Sequence, residues 1–166
     1  MKKYVFDAST LLLLAKITLL RSFSEISHII IPQKVKSEAL IKKEKDDAQI
    51  IERLIGGGKI QVVKDNVPSK KIVDDFRLGE GEAEALYIAV KEKMIIATDD
   101  LRAIKASKVL DIRFITAIHC LLLLYKKKKI DRQLALEKLK SLEMYGRYNT
   151  EIIKNTRKII EGGTDG

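Results

Sequence analysis

Short apolar, β-prone runs that each lead straight into a helical pattern recur along this chain, and that alternation limits its fold more than any other feature. Lys3, Tyr4, Val5 and Phe6 form the first run and end at Asp7, after which the leucine-rich segment 10–20 reads as a buried helix. His28, Ile29, Ile30 and Ile31 form the second, stopped by Pro32, which suits the first position of a helix carrying Val35, Glu38, Ala39 and Leu40. Asp46 and Asp47 open a further helical pattern (Ala48, Ile51, Leu54, Ile55), ended by Gly56, Gly57 and Gly58 before the strand 60–63. Pro68 and Ser69 begin a short helix reaching Phe76. A helix over 82–93, a strand over 94–97 and the acidic turn Thr98, Asp99, Asp100 follow. The strand 112–115 then precedes a helix capped by Thr116. Repeated strand-then-helix units predict an α/β domain around a mainly parallel sheet of four or five strands.

With 166 residues, 46% of them hydrophobic, the chain can bury one substantial core, and a single domain over 1–161 is expected. After Ile130 the pattern is wholly helical, with Leu134, Leu136, Leu139 and Leu142 in one helix and Ile152, Ile153, Ile159 and Ile160 in a last one, so helices occupy 131–161. Their stripes suit the domain's own core, or alternatively a homodimer or another protein partner. Residues 162–166 read as a flexible tail.

The 32 Lys+Arg against 23 Asp+Glu leave a formal charge of +9, which favours a polyanionic partner such as nucleic acid, although lysines also simply solvate helix faces. A lone cysteine, Cys120, excludes a disulfide framework and a CxxC metal site, and fits a reducing, cytoplasmic setting. Met1, Lys2 and Lys3 before an apolar run resemble a signal peptide, but Asp7 and Lys16 interrupt the run and no cleavage motif follows. The longest apolar stretch, 117–125, falls far short of the ~20 residues that span a membrane, so no membrane association is expected.

Acids at strand ends carry the chemistry. Ligands of parallel α/β sheets bind outside the carboxyl ends of the strands. Asp7 follows the first strand and Asp99 and Asp100 follow the strand 94–97, so both groups emerge at one edge, where nearby helices can add Glu38 and Glu82 or Glu84. Carboxylates converging without lysines among them repel one another and make sense with a divalent cation present; hard oxygen donors suit Mg²⁺ or Mn²⁺. Each acid also has an ordinary explanation. A helical glutamate such as Glu38 is usually a solvated surface residue, acids at a helix start such as Glu82 and Glu84 complement the helix dipole, and Asp99 or Asp100 can cap the following helix. Glu82 and Glu84 stand about 200° apart on a helix, so only one can point into a shared site. Ser9, Thr10 and Thr98 can place hydroxyls near the cluster or serve as helix caps.

Val5-Phe6-Asp7-Ala8-Ser9, Ile31-Pro32 before a helix with Glu38, Gly81-Glu82-Ala83-Glu84-Ala85 and Ile96-Ala97-Thr98-Asp99-Asp100 together resemble the ordered acidic motifs of PIN-domain proteins, over residues 3–128. The chain is similar in particular to small prokaryotic PIN proteins, including toxins of toxin–antitoxin pairs, and to a branch with a GxGEAEA helix. This resemblance implies a Rossmann-like three-layer α/β/α fold whose sheet edge binds Mg²⁺ or Mn²⁺ and cleaves RNA through a metal-activated water, with an antitoxin protein as a candidate partner. It makes Asp7 the first metal ligand and Glu38 the second acid. It aligns Glu82 and Asp100 with the third acid and the T-x-D acid, with Asp99 a further ligand candidate and Glu84 an alternate. Glu stands where regular members have Asp at the third acid, which adds one methylene of reach.

Lys34, Lys36, Lys42, Lys43, Arg102, Lys105 and Lys108 flank the acids and can hold a phosphate backbone without reading bases. The resemblance requires no histidine, and His28 and His119 are expected to be structural. The run 126–129 closes a helix, where cations are favourable anyway. An Asp after the first strand also begins phosphatases of the haloacid dehalogenase type, but these carry a second Asp two residues on, where this chain has Ser9. A receiver domain pairs that Asp with an adjacent acid, which is missing. The main alternative to a ribonuclease is a PIN-like module that binds nucleic acid or protein with little or no turnover.

Overall fold

The computed structural model describes residues 1–42, 44–64 and 70–162. Among these, β1 (Lys3–Phe6), β2 (His28–Pro32), β3 (Ile60–Val63), β4 (Ile95–Ala97) and β5 (Phe114–Ile115) form one all-parallel sheet in the order β3-β2-β1-β4-β5. The chain builds outward from β1 through β2 to β3, then returns to lay β4 on the other side of β1. A reversal of this kind opens a crevice at the carboxyl ends of the two strands that flank it. The register pairs Val5 with Ile96 and Phe6 with Ala97, so the next residues, Asp7 and Thr98, leave the sheet side by side.

Strand side chains alternate between faces, and each face has its own core. Tyr4, Phe6, Ile29, Ile31 and Ala97 join a large cluster with α1 (Ala8–Lys16), α2 (Leu20–Ile26), α3 (Gln33–Ala39), α4 (Asp46–Gly56), α8 (Ala117–Lys126), α9 (Arg132–Tyr145) and α10 (Thr150–Glu161). Val5 and Ile96 point the other way, into a smaller cluster with α5 (Lys70–Phe76), α6 (Glu80–Glu92) and α7 (Leu101–Val109). The result is the three-layer α/β/α arrangement expected from the sequence.

Several boundaries differ from the sequence reading. The apolar segment 10–20 is two helices, because Thr18 takes a left-handed conformation (φ 62°) and turns the chain between Lys16 and Leu20. Both sides of that turn are buried, so the break leaves no interruption in the apolar pattern. The turn delivers Phe23 of α2 to the sheet, where its ring lies 5.5 Å from Tyr4 and 5.9 Å from Phe6, centroid to centroid. Pro32 is the last residue of β2 and the extended cap of α3, rather than the first helical residue. Helix α6 starts at Glu80, two residues earlier than expected, because extended Gly79 serves as its cap. The reading of Pro68 and Ser69 as a helix start, Lys43 in the basic rim, and residues 163–166 of the tail lie outside the described residues.

In the C-terminal helices Ala135, Leu139, Leu142, Ile153 and Ile160 belong to the large core, whereas Ile152 and Ile159 face outward. Among the described residues no helix is long and apolar enough to cross a membrane. Phe23 is fully buried between two strand residues. Phe23→Ala therefore leaves a cavity under β1 and lowers unfolding free energy by about 3–5 kcal/mol, seen as a lower denaturant midpoint at unchanged slope.

Candidate acidic site at the strand switch

Asp7 is the first residue beyond β1 and is wholly buried. It caps α1: its Oδ1 accepts from the Thr10 N–H at 3.2 Å and from the Ser9 hydroxyl at 2.6 Å, while its Oδ2 accepts from the Thr98 hydroxyl. Its own N–H donates to the Ala97 carbonyl across the switch, at 3.1 Å. Burial pushes the Asp7 carboxyl up to about 7, the three hydrogen bonds pull the other way, and the nearby Glu82 charge adds to the rise.

Glu82 approaches from the first turn of α6. Its Oε2 accepts from the Gly79 N–H at 3.0 Å, which closes the helix start back on itself. Burial also raises the Glu82 carboxyl above its usual range, with further upward pushes from the neighbouring Asp100 and Glu38 carboxylates. Glu38 comes from α3 and lies across the start of α6, its Oε1 accepting from the Gly81 N–H at 3.0 Å. A β-carbon on Gly81 would stand 2.6 Å from that oxygen, so the second glycine of the Gly79-Glu80-Gly81 turn leaves room for Glu38. Asp100 caps α7, accepting from the Arg102 and Ala103 N–H groups at 3.0 Å each.

Asp7, Glu82, Asp100 and Glu38 thus form one electrostatically linked acidic group at the β1/β4 switch. Asp99 and Glu84 stand apart from it. The Asp99 carboxylate turns toward α8, where its Oδ2 accepts from the Thr10 hydroxyl at 2.6 Å and the Ala117 N–H at 3.1 Å, and its Oδ1 accepts from the Tyr148 hydroxyl. Consecutive residues leaving a strand diverge, and Asp100 takes the direction of Glu82. Glu84 is two positions beyond Glu82, about 200° around α6, and is buried. Ser9 and Thr98 hold Asp7, and each hydroxyl also accepts a backbone bond, from the Asp99 N–H at 3.0 Å and the Asp100 N–H at 3.1 Å.

The basic candidates divide as well. Lys34 pairs with Glu80 at 3.1 Å beside the start of α6, and Arg102, next to Asp100, donates from Nη1 to the Arg77 carbonyl at 3.3 Å. Lys42 and Lys105 are exposed, in the turn after α3 and one turn into α7. Lys108 lies over the Phe114 ring, 5.8 Å from its centroid, and so reaches toward β5. His119 accepts from the Thr116 N–H at 3.0 Å and closes the start of α8.

Tyr148 was not a candidate from the sequence. It sits between α9 and α10 in a polar loop whose one signal is Gly146, where a β-carbon would strike the Tyr148 ring at 2.7 Å.

Every donor around Asp7, Glu82, Glu38 and Asp100 is a hard oxygen, which fits Mg²⁺ or Mn²⁺. Among the described residues, however, no group of three His, Cys, Asp or Glu side chains stands ready to hold a metal ion. The acids are instead engaged by backbone amides: Glu82 by Gly79, Glu38 by Gly81, and Asp100 through Oδ1 by the start of α7.

The family model described as DUF3368, PIN domain, matches residues 3–160. No curated protein matches. Among solved structures, a PilT N-terminus domain protein, SSO1118, from the hyperthermophilic archaeon Sulfolobus solfataricus P2 matches with TM-score 0.50 and 17% identity, over 71% of this chain and 89% of that one.

The raised Asp7 carboxyl has a consequence for stability. An aspartate in the unfolded chain loses its proton near pH 4, whereas the folded chain keeps it to about 7. Between these values the native state binds more protons, so the Asp7 contribution to metal-free stability is complete at low pH and is lost as pH rises toward 7. In EDTA, Asp7→Asn will gain on wild type by a few kcal/mol from pH 4.5 to 8 in denaturant titrations, and a flat difference between the two would contradict this assignment.

Proposed function

Because the chain belongs to the PIN-domain family, generally a nuclease fold whose members usually use divalent metals, we propose that it is a Mg²⁺- or Mn²⁺-dependent ribonuclease that hydrolyses phosphodiester bonds. The observation that carries this reading is Asp7. It is a wholly buried carboxylate at the strand switch, held by hydroxyl and amide donors and faced by further acids rather than by a cation.

In this reading Asp7, Glu82 and Asp100 hold the metal, and Glu38 completes the acidic edge or accepts a proton from the attacking water. Glu38 and Glu82 are long, partly exposed side chains, and each can exchange its amide partner for the ion by side-chain rotation. A bound divalent cation supplies a coordinated water of lowered pKa and neutralises charge on the scissile phosphate. Ser9 and Thr98 keep the two Asp7 oxygens oriented. Lys34, Lys42, Arg102 and Lys105 are the cations that would hold the phosphate backbone, a role that sets affinity and salt dependence rather than sequence choice. The chain has no Trp and only 5% aromatic residues, so base stacking contributes little to specificity. The reading extends to the toxin of a toxin–antitoxin pair working in the cytoplasm, with an antitoxin protein covering the acidic edge.

A second reading, a PIN-like module that binds RNA without turnover, draws on one observation. Each acid of the cluster already serves a backbone amide, and Glu82 stands where an Asp is usual.

Incubating the protein with single-stranded RNA and Mn²⁺ separates the two. The ribonuclease reading expects cleavage that EDTA stops and that Asp7→Asn reduces to the EDTA level. Cleavage persisting in the Asp7→Asn preparation reports a contaminant, and RNA binding without metal-dependent cleavage supports the module. Gly81→Ala gives a finer check, because its new methyl displaces only the Glu38 carboxylate. Alanine in a helix is worth about 0.5–1 kcal/mol over glycine, so the melting temperature holds or rises while cleavage falls about tenfold.

A further inference from the structure

Asp99 is adjacent to the acid cluster yet turned away from it, and one of the groups that hold it there comes from the loop between α9 and α10. The Tyr148 hydroxyl donates to Asp99 Oδ1. Thr116 and Ile118, at the start of α8, lie beside the same phenol. Asp99 Oδ2 in turn takes the Thr10 hydroxyl at 2.6 Å and the Ala117 N–H at 3.1 Å. On its backbone side, the Asp99 N–H donates to the Ser9 hydroxyl at 3.0 Å, and Ser9 donates to Asp7 at 2.6 Å. Thr10 reaches Asp7 as well, through its N–H at 3.2 Å. Two hydrogen-bond routes therefore run from Tyr148 through Asp99 to Asp7, one by Ser9 and one by Thr10.

Tyr148 is well placed to be a rigid end of these routes. It is partly buried against the large core, with its ring folded against Gly146, where any β-carbon would collide with it at 2.7 Å. Helices α9 and α10 on either side of the loop are anchored in the large core through Leu139, Leu142, Ile153 and Ile160.

We propose that Tyr148 is a positioning residue for the acidic site: by holding Asp99 on the α8 side it fixes Ser9 and Thr10 on Asp7 and directs Asp100, rather than Asp99, toward Glu82. The proposal rests on the metal-site reading above. It gives the C-terminal helical pair a part in the site that the core fold over the strands does not supply.

The test compares wild type, Tyr148→Phe, Asp99→Asn and the double variant, by Mn²⁺ titration in a calorimeter and by cleavage kinetics on single-stranded RNA. Tyr148→Phe keeps the ring and removes only the hydroxyl, so it folds, which its melting curve verifies. The expected result is Mn²⁺ affinity or kcat lowered about tenfold with KM little changed, and a double variant no worse than the more impaired single variant. Unchanged Mn²⁺ affinity and kcat in a folded Tyr148→Phe overturn the positioning role and leave the metal-site reading standing. Additive losses in the double variant also overturn it, since they mean the two side chains act separately. Wild-type protein that neither binds Mn²⁺ nor cleaves RNA overturns the metal-site reading, and this proposal falls with it.

Discussion

A single carboxylate, that of Asp7, ties the two halves of the sheet together where the chain reverses its direction of growth. An ionised carboxylate without partners would be costly to bury there, and the fold answers with three donors and a raised pKa in place of a counter-charge. Ser9 and Thr10 come from α1, Thr98 from the end of β4, so satisfying Asp7 also fixes α1 against β4. The alignment of Phe6 with Ala97 is what brings these groups within reach.

The surrounding acids share a second property: each serves the start of a helix. Asp7 caps α1, Glu82 folds back on the start of α6, Glu38 takes an amide from that same turn, Asp100 caps α7, and Asp99 receives the first N–H of α8. Helix starts carry partial positive charge, and one such interaction is worth about 0.3–1 kcal/mol at a surface and more when partly buried. A ring of helix starts is therefore an environment in which a cluster of carboxylates can fold before any cation arrives. The ordinary reading of these acids as caps and the chemical reading of them as a binding group describe the same atoms, and in Asp7 and Asp100 the two coincide.

What the sequence made legible follows from what is local. The alternation of β-prone runs and helical patterns announced the layers, and an acid directly after an apolar run announced Asp7, because strand ends lie within a residue or two of their side chains' destination. The choice between Glu82 and Glu84 needed only helix geometry once a direction was known. The division of Asp99 from Asp100 was not legible, because it depends on Tyr148, 49 residues away, and on the start of α8. The break at Thr18 was hidden for a related reason, since leucines buried on both sides of a turn read as one apolar stretch. Gly81 stood out as a glycine, but its purpose appears only when Glu38, 43 residues earlier, is laid against it. Lys108 flanks the acids in sequence and leans on Phe114 in space.

The distance along the chain between Asp7 and its partners bears on how the protein comes into being. The hydroxyl of Thr98 is 91 residues downstream, and Tyr148, which holds Asp99, lies 49 residues beyond that aspartate. During synthesis from the N-terminus, β1, β2 and β3 can pair first, but the cluster has no second side until β4 slots in beside β1. The acidic edge is thus assembled only once β4 lies beside β1, however early α1 and its capping aspartate have formed.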